Sequence, residues 1–175
     1  MGAGRIFDQG AKQVEEAFRS GAIWGEAWQM VMQRFSNKIH FVGLLSDGNV
    51  HSHIRHLFTL LNKAAEQGAQ HLVVHALFDG RDVTDGTAEK YLTQLEDELA
   101  VISTKHSCSA VVGSGGGRMN TTMDRYEADW EIVARGWEAH AKGTARPFTS
   151  AAEALRTLRA EDPNVSDQYL PAFTI

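Results

Sequence analysis

The sequence predicts an α/β fold: a single three-layer α/β/α domain with a mainly parallel central sheet. Three observations carry this. Apolar runs at 39–45, 71–78 and 108–113 alternate with segments whose apolar residues recur every three or four positions. The runs are almost continuously apolar, as expected of strands covered on both faces. Each run also leads into a turn rich in glycine and hydrogen-bonding residues.

Taken in order, Asp8 caps a first predicted helix with Ala11, Val14, Ala17 and Phe18 on its apolar side, ended by Gly21. A second spans 25–35, with Trp24, Trp28, Val31, Met32 and Phe35 on one side, a spacing that reads as packing. Strand 39–45 is followed by a helix over 49–67, whose stripe is Val50, Ile54, Leu57, Phe58, Leu60 and Leu61 and whose stop is Gly68. Strand 71–78 precedes a helix from Thr87 or Ala88 to about 103. Strand 108–113 ends in Ser114-Gly115-Gly116-Gly117-Arg118. A helix over 123–142 turns Trp130, Val133, Trp137 and Ala141 inward, and a last one over 150–159 buries Ala151, Ala154, Leu155 and Leu158.

Composition narrows the function. The 175 residues are 43% hydrophobic and 22% charged, an ordinary globular balance able to bury a core. A net charge of −5 gives no global field for nucleic acid or anionic lipid. The single cysteine, Cys108, excludes an intrachain disulfide and a cysteine-built zinc site, and reads as a buried, inert thiol. With no run of ~20 apolar residues and no signal-like start, the chain reads as soluble and cytoplasmic.

The chemistry concentrates in the three turns, which a parallel sheet brings to one edge. The first holds Ser46, Asp47, His51 and His53; the second Asp79, Arg81 and Asp82; the third Arg118, with Asp124 and Arg125 soon after. Arginine forks and an imidazole suit a small, doubly charged anion. The Gly115-Gly116-Gly117 run can supply a backbone nest for an oxyanion. Asp47 and Asp79 precede glycine, so Asx-turn chemistry accounts for them equally well. A metal on Asp47, His51, His53 and Asp79 is the competing reading, opposed by the arginines at the same edge. A dinucleotide fingerprint is absent, since neither the glycine triplet nor the first turn has the G-x-G-x-x-G spacing.

Leu44-Leu45-Ser46-Asp47-Gly48-Asn49-Val50-His51-Ser52-His53, Phe78-Asp79-Gly80-Arg81-Asp82, and Gly117-Arg118 with Met123-Asp124-Arg125 resemble the cofactor-independent (bisphosphoglycerate-independent) phosphoglycerate mutases. The segment from Ser114 to Trp130 resembles the plant and trypanosomatid branch of that family. The resemblance implies that residues 1–175 are the inserted transferase (substrate-binding) domain, without the phosphatase-like metal domain. It implies interconversion of 3-phosphoglycerate and 2-phosphoglycerate through a phosphoserine, with His51, Arg81, Asp82, Arg118 and Arg125 binding substrate and Asp82 as acid/base. It also implies no cofactor within this chain and two divalent metals, Mn2+ or another ion, in the full-length enzyme. The family's nucleophilic serine and its metal ligands have no counterpart here, so the chain is expected to be a fragment inactive alone. The alternative is a stand-alone, non-catalytic module for phosphorylated metabolites or a protein partner. Neither nucleic acid nor membrane is an expected partner.

Overall fold

In the computed structural model the described residues are 10–34, 37–123 and 129–175. They fall into two units, Met1–Phe35 and Ser36–Ile175. In the first, α1 (Gly10–Ser20) and α2 (Glu26–Arg34) flank a 3-10 turn, Ala22–Trp24. Trp24 meets Phe18 and Trp28 edge-on, with centroids 5.9 and 5.0 Å apart, and Trp28 is the buried member. Val31, expected on that inward side, is exposed. Asp8 and Phe35 lie outside the described residues.

The second unit holds a five-stranded sheet in the order β1-β2-β3-β5-β4. Its strands are β1 (Lys38–Leu44), β2 (His71–Phe78), β3 (Ser109–Gly117), β4 (Arg146–Pro147) and β5 (Phe173–Thr174). The first three are parallel neighbours, and β5 runs antiparallel to β3. The expected, mainly parallel α/β sheet is therefore present, with two short C-terminal strands added. Crossover helices α3 (Ile54–Glu66) and α4 (Ala88–His106) touch each other, and α7 (Ala151–Glu161) packs beside α4. Between them Leu61, Leu72, Leu92, Leu95 and Ile102 are sealed from solvent, each burial contributing roughly 1.5–3 kcal/mol. After α5 (Arg118–Thr121), α6 (Trp130–Trp137) passes into a π-helical turn, Glu138–Lys142, against β3. Neighbouring strand residues point to opposite faces, so Val74 and His75 look into different layers. His75 meets the side carrying the π-turn.

Three expectations need correction. The third strand does not stop at 113: Gly115, Gly116 and Gly117 pair with Ala76, Leu77 and Phe78. Their amides lie in a strand, so the triplet forms no anion nest. These glycines answer to close packing instead, because a Cβ at Gly115 would lie 2.5 Å from Phe173 Cζ and one at Gly117 2.4 Å from the Gln168 carbonyl. The helix expected from 49 begins at Ile54, capped by His53 Nδ1, which accepts the Arg55 N–H at 3.1 Å. Val50 is thus in the turn and exposed rather than on the apolar stripe. Finally, Trp130, Val133, Trp137 and Ala141 face outward. The inward positions are Gly136 and Ala139; a Cβ at Gly136 would sit 1.7 Å from the Thr121 carbonyl oxygen, so closeness of backbone outweighed aromatic bulk there. Cys108 is half-buried, and burial pushes its thiol up. No helix of the described residues is long and apolar enough to cross a membrane.

One polar array threads this otherwise apolar layer. A bulge between Val74 and His75 skips Gly113 and sets Ser114 opposite His75. His75 Nε2 lies 2.9 Å from His40 Nδ1, and His75 Nδ1 lies 2.6 Å from Ser114 Oγ. Ser114 Oγ is also 2.7 Å from His140 Nδ1. Burial, reinforced by His140 and His40, lowers His75 from 6.5 to about 4. The unfolded chain therefore binds the extra proton more readily, so this contribution to stability is complete above about 6.5 and is lost as pH falls toward about 4. Urea midpoints measured across that window should fall with acidification, and His75→Gln should flatten the fall.

Candidate functional site

The first two parallel strands end side by side, and their turns interlock. Leu45 N donates to Leu77 O at 2.9 Å, and Ile54 N returns to Ser46 O at 2.8 Å, closing the first turn. Asn49 takes a left-handed φ of 54° within it. Gly48 lies directly on the second turn: a Cβ there would be 2.7 Å from the Asp82 carbonyl oxygen. In the second turn Asp79 Oδ1 accepts the N–H groups of Arg81 at 3.2 Å and Asp82 at 3.0 Å. That is the Asx turn, yet the same oxygen also accepts Arg118 Nη1 at 2.7 Å.

Arg118, the first residue of α5, is the joint between turns. Its Nη1 donates to Asp79 Oδ1 and, at 2.9 Å, to Asp82 Oδ2. Arg118 is 3% exposed and Asp79 2%. Burial alone would push Asp79 up; Ser46, the Asp82 amide, Arg118 and the Arg81 amide together hold it below its usual range. Asp79 Oδ2 has no hydrogen-bond partner. Arg118 Nε is likewise buried and unpartnered.

Asp82 is the reachable carboxylate. Its Oδ2 is 4.0 Å from His51 Nε2, whose side chain is 50% exposed. Arg81 is exposed, and its guanidinium makes no hydrogen bond or ion pair with the described residues. His51, Asp82 and Arg118 thus gather around one point, with Arg81 beside them in the chain. Arg125 and Asp124 lie outside the described residues. The arrangement can hold an anion at an exposed guanidinium and imidazole while a fixed carboxylate handles a proton.

The competing metal set does not assemble. Asp47 turns toward α4, where its Oδ1 accepts the Tyr91 hydroxyl at 2.6 Å and its Oδ2 lies 3.9 Å from Lys90. Burial and that carboxylate raise Tyr91 to about 12. His53 caps α3, and Asp79 is engaged by Arg118. Among the described residues no group of three His, Cys, Asp or Glu is placed to hold a metal ion.

Sequence reasoning missed what supports the second turn from behind. Asp167, 1% exposed, accepts the Ala88 N–H at 3.0 Å and pairs with Arg159. Asp85 Oδ1 in turn accepts the Asp167 N–H at 2.7 Å and the Ser166 hydroxyl at 3.0 Å. Gly80, at φ 61°, fits against both aspartates; a Cβ there would be 2.8 Å from Asp85 Oδ1. The only sequence hint of this lock was the Asp-Gly pair itself.

Comparisons with known proteins agree on one group. The family profile described as BPG-independent PGAM N-terminus matches residues 12–175. The 2,3-bisphosphoglycerate-independent phosphoglycerate mutase of Trypanosoma brucei brucei is 49% identical over 179 residues, covering 100% of this chain and 32% of that protein. The enzyme of that name from Prunus dulcis is 49% identical over 178 residues, covering 100% of this chain and 36% of its own length. A crystal structure of Leishmania mexicana phosphoglycerate mutase, determined at low cobalt concentration, superposes with a TM-score of 0.95 at 47% identity. It covers 99% of this chain and 32% of that one, so the chain spans about a third of the length of the relatives it matches.

Removing Arg118 leaves two carboxylates without their buried counter-charge, whereas Arg81 carries no such load. Arg118→Met should therefore destabilise the fold by about 3–5 kcal/mol in urea unfolding. Arg81→Ala should stay within about 0.5 kcal/mol of the parent.

Proposed function

The chain belongs to the 2,3-bisphosphoglycerate-independent phosphoglycerate mutases, as their N-terminal domain, and on that premise we propose that it is the substrate-holding, phosphotransferase half of an enzyme interconverting 3-phosphoglycerate and 2-phosphoglycerate. Residues 1–175 are its transferase domain, inactive alone, and the phosphatase-like remainder of the longer relatives is its partner, in the cytoplasm. The observation that supports this best is Asp82: a carboxylate fixed by buried Arg118 and facing His51, next to an exposed Arg81.

His51, Arg81, Arg118 and Arg125 form the substrate-binding set. Arg81 meets an oxyanion directly, since nothing among the described residues competes for its fork. Arg118 acts first through Asp82, keeping that side chain in one rotamer. Asp82 Oδ1 makes no hydrogen bond within the described residues and is the atom free to take a proton. It accepts the proton of the glycerate hydroxyl that receives the phosphoryl group, and returns one to the oxygen that has given it up. The divalent ions, Mn2+ or another metal, would be held in the remainder of the enzyme and supply nucleophile activation and charge neutralisation there.

Calorimetry tests the binding half of this reading. The chain should bind 3-phosphoglycerate and 2-phosphoglycerate weakly, and Arg81→Ala should weaken both at least tenfold with an unchanged melting temperature. Equal affinity for unrelated phosphorylated metabolites would support a non-catalytic module instead. In the protein completed by its remaining two thirds, Asp82→Asn should lower kcat by roughly 10²–10⁴-fold with little change in KM.

A further inference from the structure

We propose that His40, His75, Ser114 and His140 form a directional single-proton relay that links the exposed face of β1 to Thr122, at the end of the helix carrying Arg118. The proposal is independent of which ligand the site takes.

The direction follows from counting hydrogens. Thr122 has one hydroxyl proton, and it is given to the Thr121 carbonyl at 2.6 Å. Its oxygen can then only accept from His140 Nε2, 3.2 Å away, so that nitrogen carries hydrogen. A neutral His140 consequently offers a bare Nδ1, and Ser114 donates to it. With its only proton committed, Ser114 Oγ accepts from His75 Nδ1–H. Neutral His75 then has a bare Nε2, which accepts His40 Nδ1–H. The whole array points one way, and among the described residues its one uncommitted ring nitrogen is His40 Nε2.

His40 is exposed, and it borders an open groove of about 490 Å³ lined also by Val42, Thr122, Val133, Trp137 and His140; Thr122, its hydroxyl proton committed to the Thr121 carbonyl, has none to pass on. His140 reaches the same groove, but its single bare nitrogen is occupied by Ser114. Entry is therefore at His40. When a proton binds His40 Nε2, the Nδ1 proton passes to His75 Nε2. The His75 Nδ1 proton passes to Ser114, and the Ser114 proton to His140 Nδ1. Each N–H or O–H bond broken is re-formed one atom further along, no heavy atom has to move, and the positive charge arrives on His140. Burial lowers His140 from its ordinary value, and the charged ring is held against that cost by a charge-assisted hydrogen bond donated to Thr122.

The titratable groups acting on His75 are His40 from β1 and His140 from the π-turn. No carboxylate of the described residues is ion-paired with any of the three. Two of the array's members sit four positions ahead of the site: His75 of β2 precedes Asp79, and Ser114 of β3 precedes Arg118. Protonation at β1 is thereby transmitted to Thr122 through His75, Ser114 and His140.

Imidazole 15N NMR on the chain tests this directly. At pH 7.5 His40 and His75 should be Nδ1–H tautomers and His140 the Nε2–H tautomer. On acidification the His40 signals and the Thr122 amide should move with one common midpoint. Ser114→Ala should leave His40 titrating while the Thr122 amide stays still. Thr122→Val, which spares the buried centre, should release the tautomers of all three histidines into mixtures. An Nε2–H tautomer at His40 or His75 in the parent at pH 7.5, or a Thr122 amide indifferent to His40 titration, would overturn the relay.

Discussion

One guanidinium shared by two carboxylates sets the geometry of everything at the rim. Arg118 stands on β3's end, Asp79 and Asp82 on β2's turn, and a 2.7 Å and a 2.9 Å bond tie them together in a nearly dry environment. Two charges against one leaves the cluster formally short of positive charge, and buried pairs are costly when incomplete. The deficit is met by backbone N–H groups of Arg81 and Asp82, which is why the tight Asx turn and the ion pair have to occur at the same residue. The consequence is a division of labour between the arginines. The buried one is engaged by Asp79 and Asp82, and the exposed one makes no ion pair with the described residues.

The architecture was largely readable because its signal is local. Apolar runs bounded by turn residues located the strands within a few positions, and α7's buried face, Ala151, Ala154, Leu155 and Leu158, came out as its spacing predicts. What failed did so where long-range contact overrode local preference. A glycine triplet looks like a turn, yet three residues without side chains are also what a strand needs when Phe173, Gln168 and the Thr121 methyl press against it. Trp130 and Trp137 look like core, but the helix presents Gly136 inward because another backbone passes within contact of it. No propensity encodes such proximity.

The site was legible as a list of residues more than as a set of roles. Spacing placed His51, Asp82 and Arg118 on one edge, since parallel strands leave no other choice. Spacing did not distinguish Arg118, enclosed, from Arg81, open, nor did it separate Asp47, which leans on Tyr91, from Asp79, which anchors Arg118. Burial decides such roles, and burial is set by the C-terminal segment that folds over the second turn. Of the histidines on β1 and β2, His75 is buried whereas His40 and His71 are exposed, and the hydrogen bonds of His75 to His40 and Ser114 carry an order that sequence does not show.

The Asp167 lock has a bearing on the order in which the molecule assembles. Its partners Ala88 and Asp85 lie 79 and 82 positions earlier in the chain, and Phe173 inserts beside Gly115 from a similarly late position. Contacts of such separation close slowly, because the intervening loop must first give up its freedom. During synthesis on the ribosome β1, β2 and β3 can pair well before Asp167 and Phe173 emerge. The Asp79–Asp82 turn then stays without its backing until Ser166 and Asp167 arrive. A nascent chain of 160 residues would hold β1, β2, β3 and the Arg118–Asp82 bond while still lacking the Asp167 support behind the second turn.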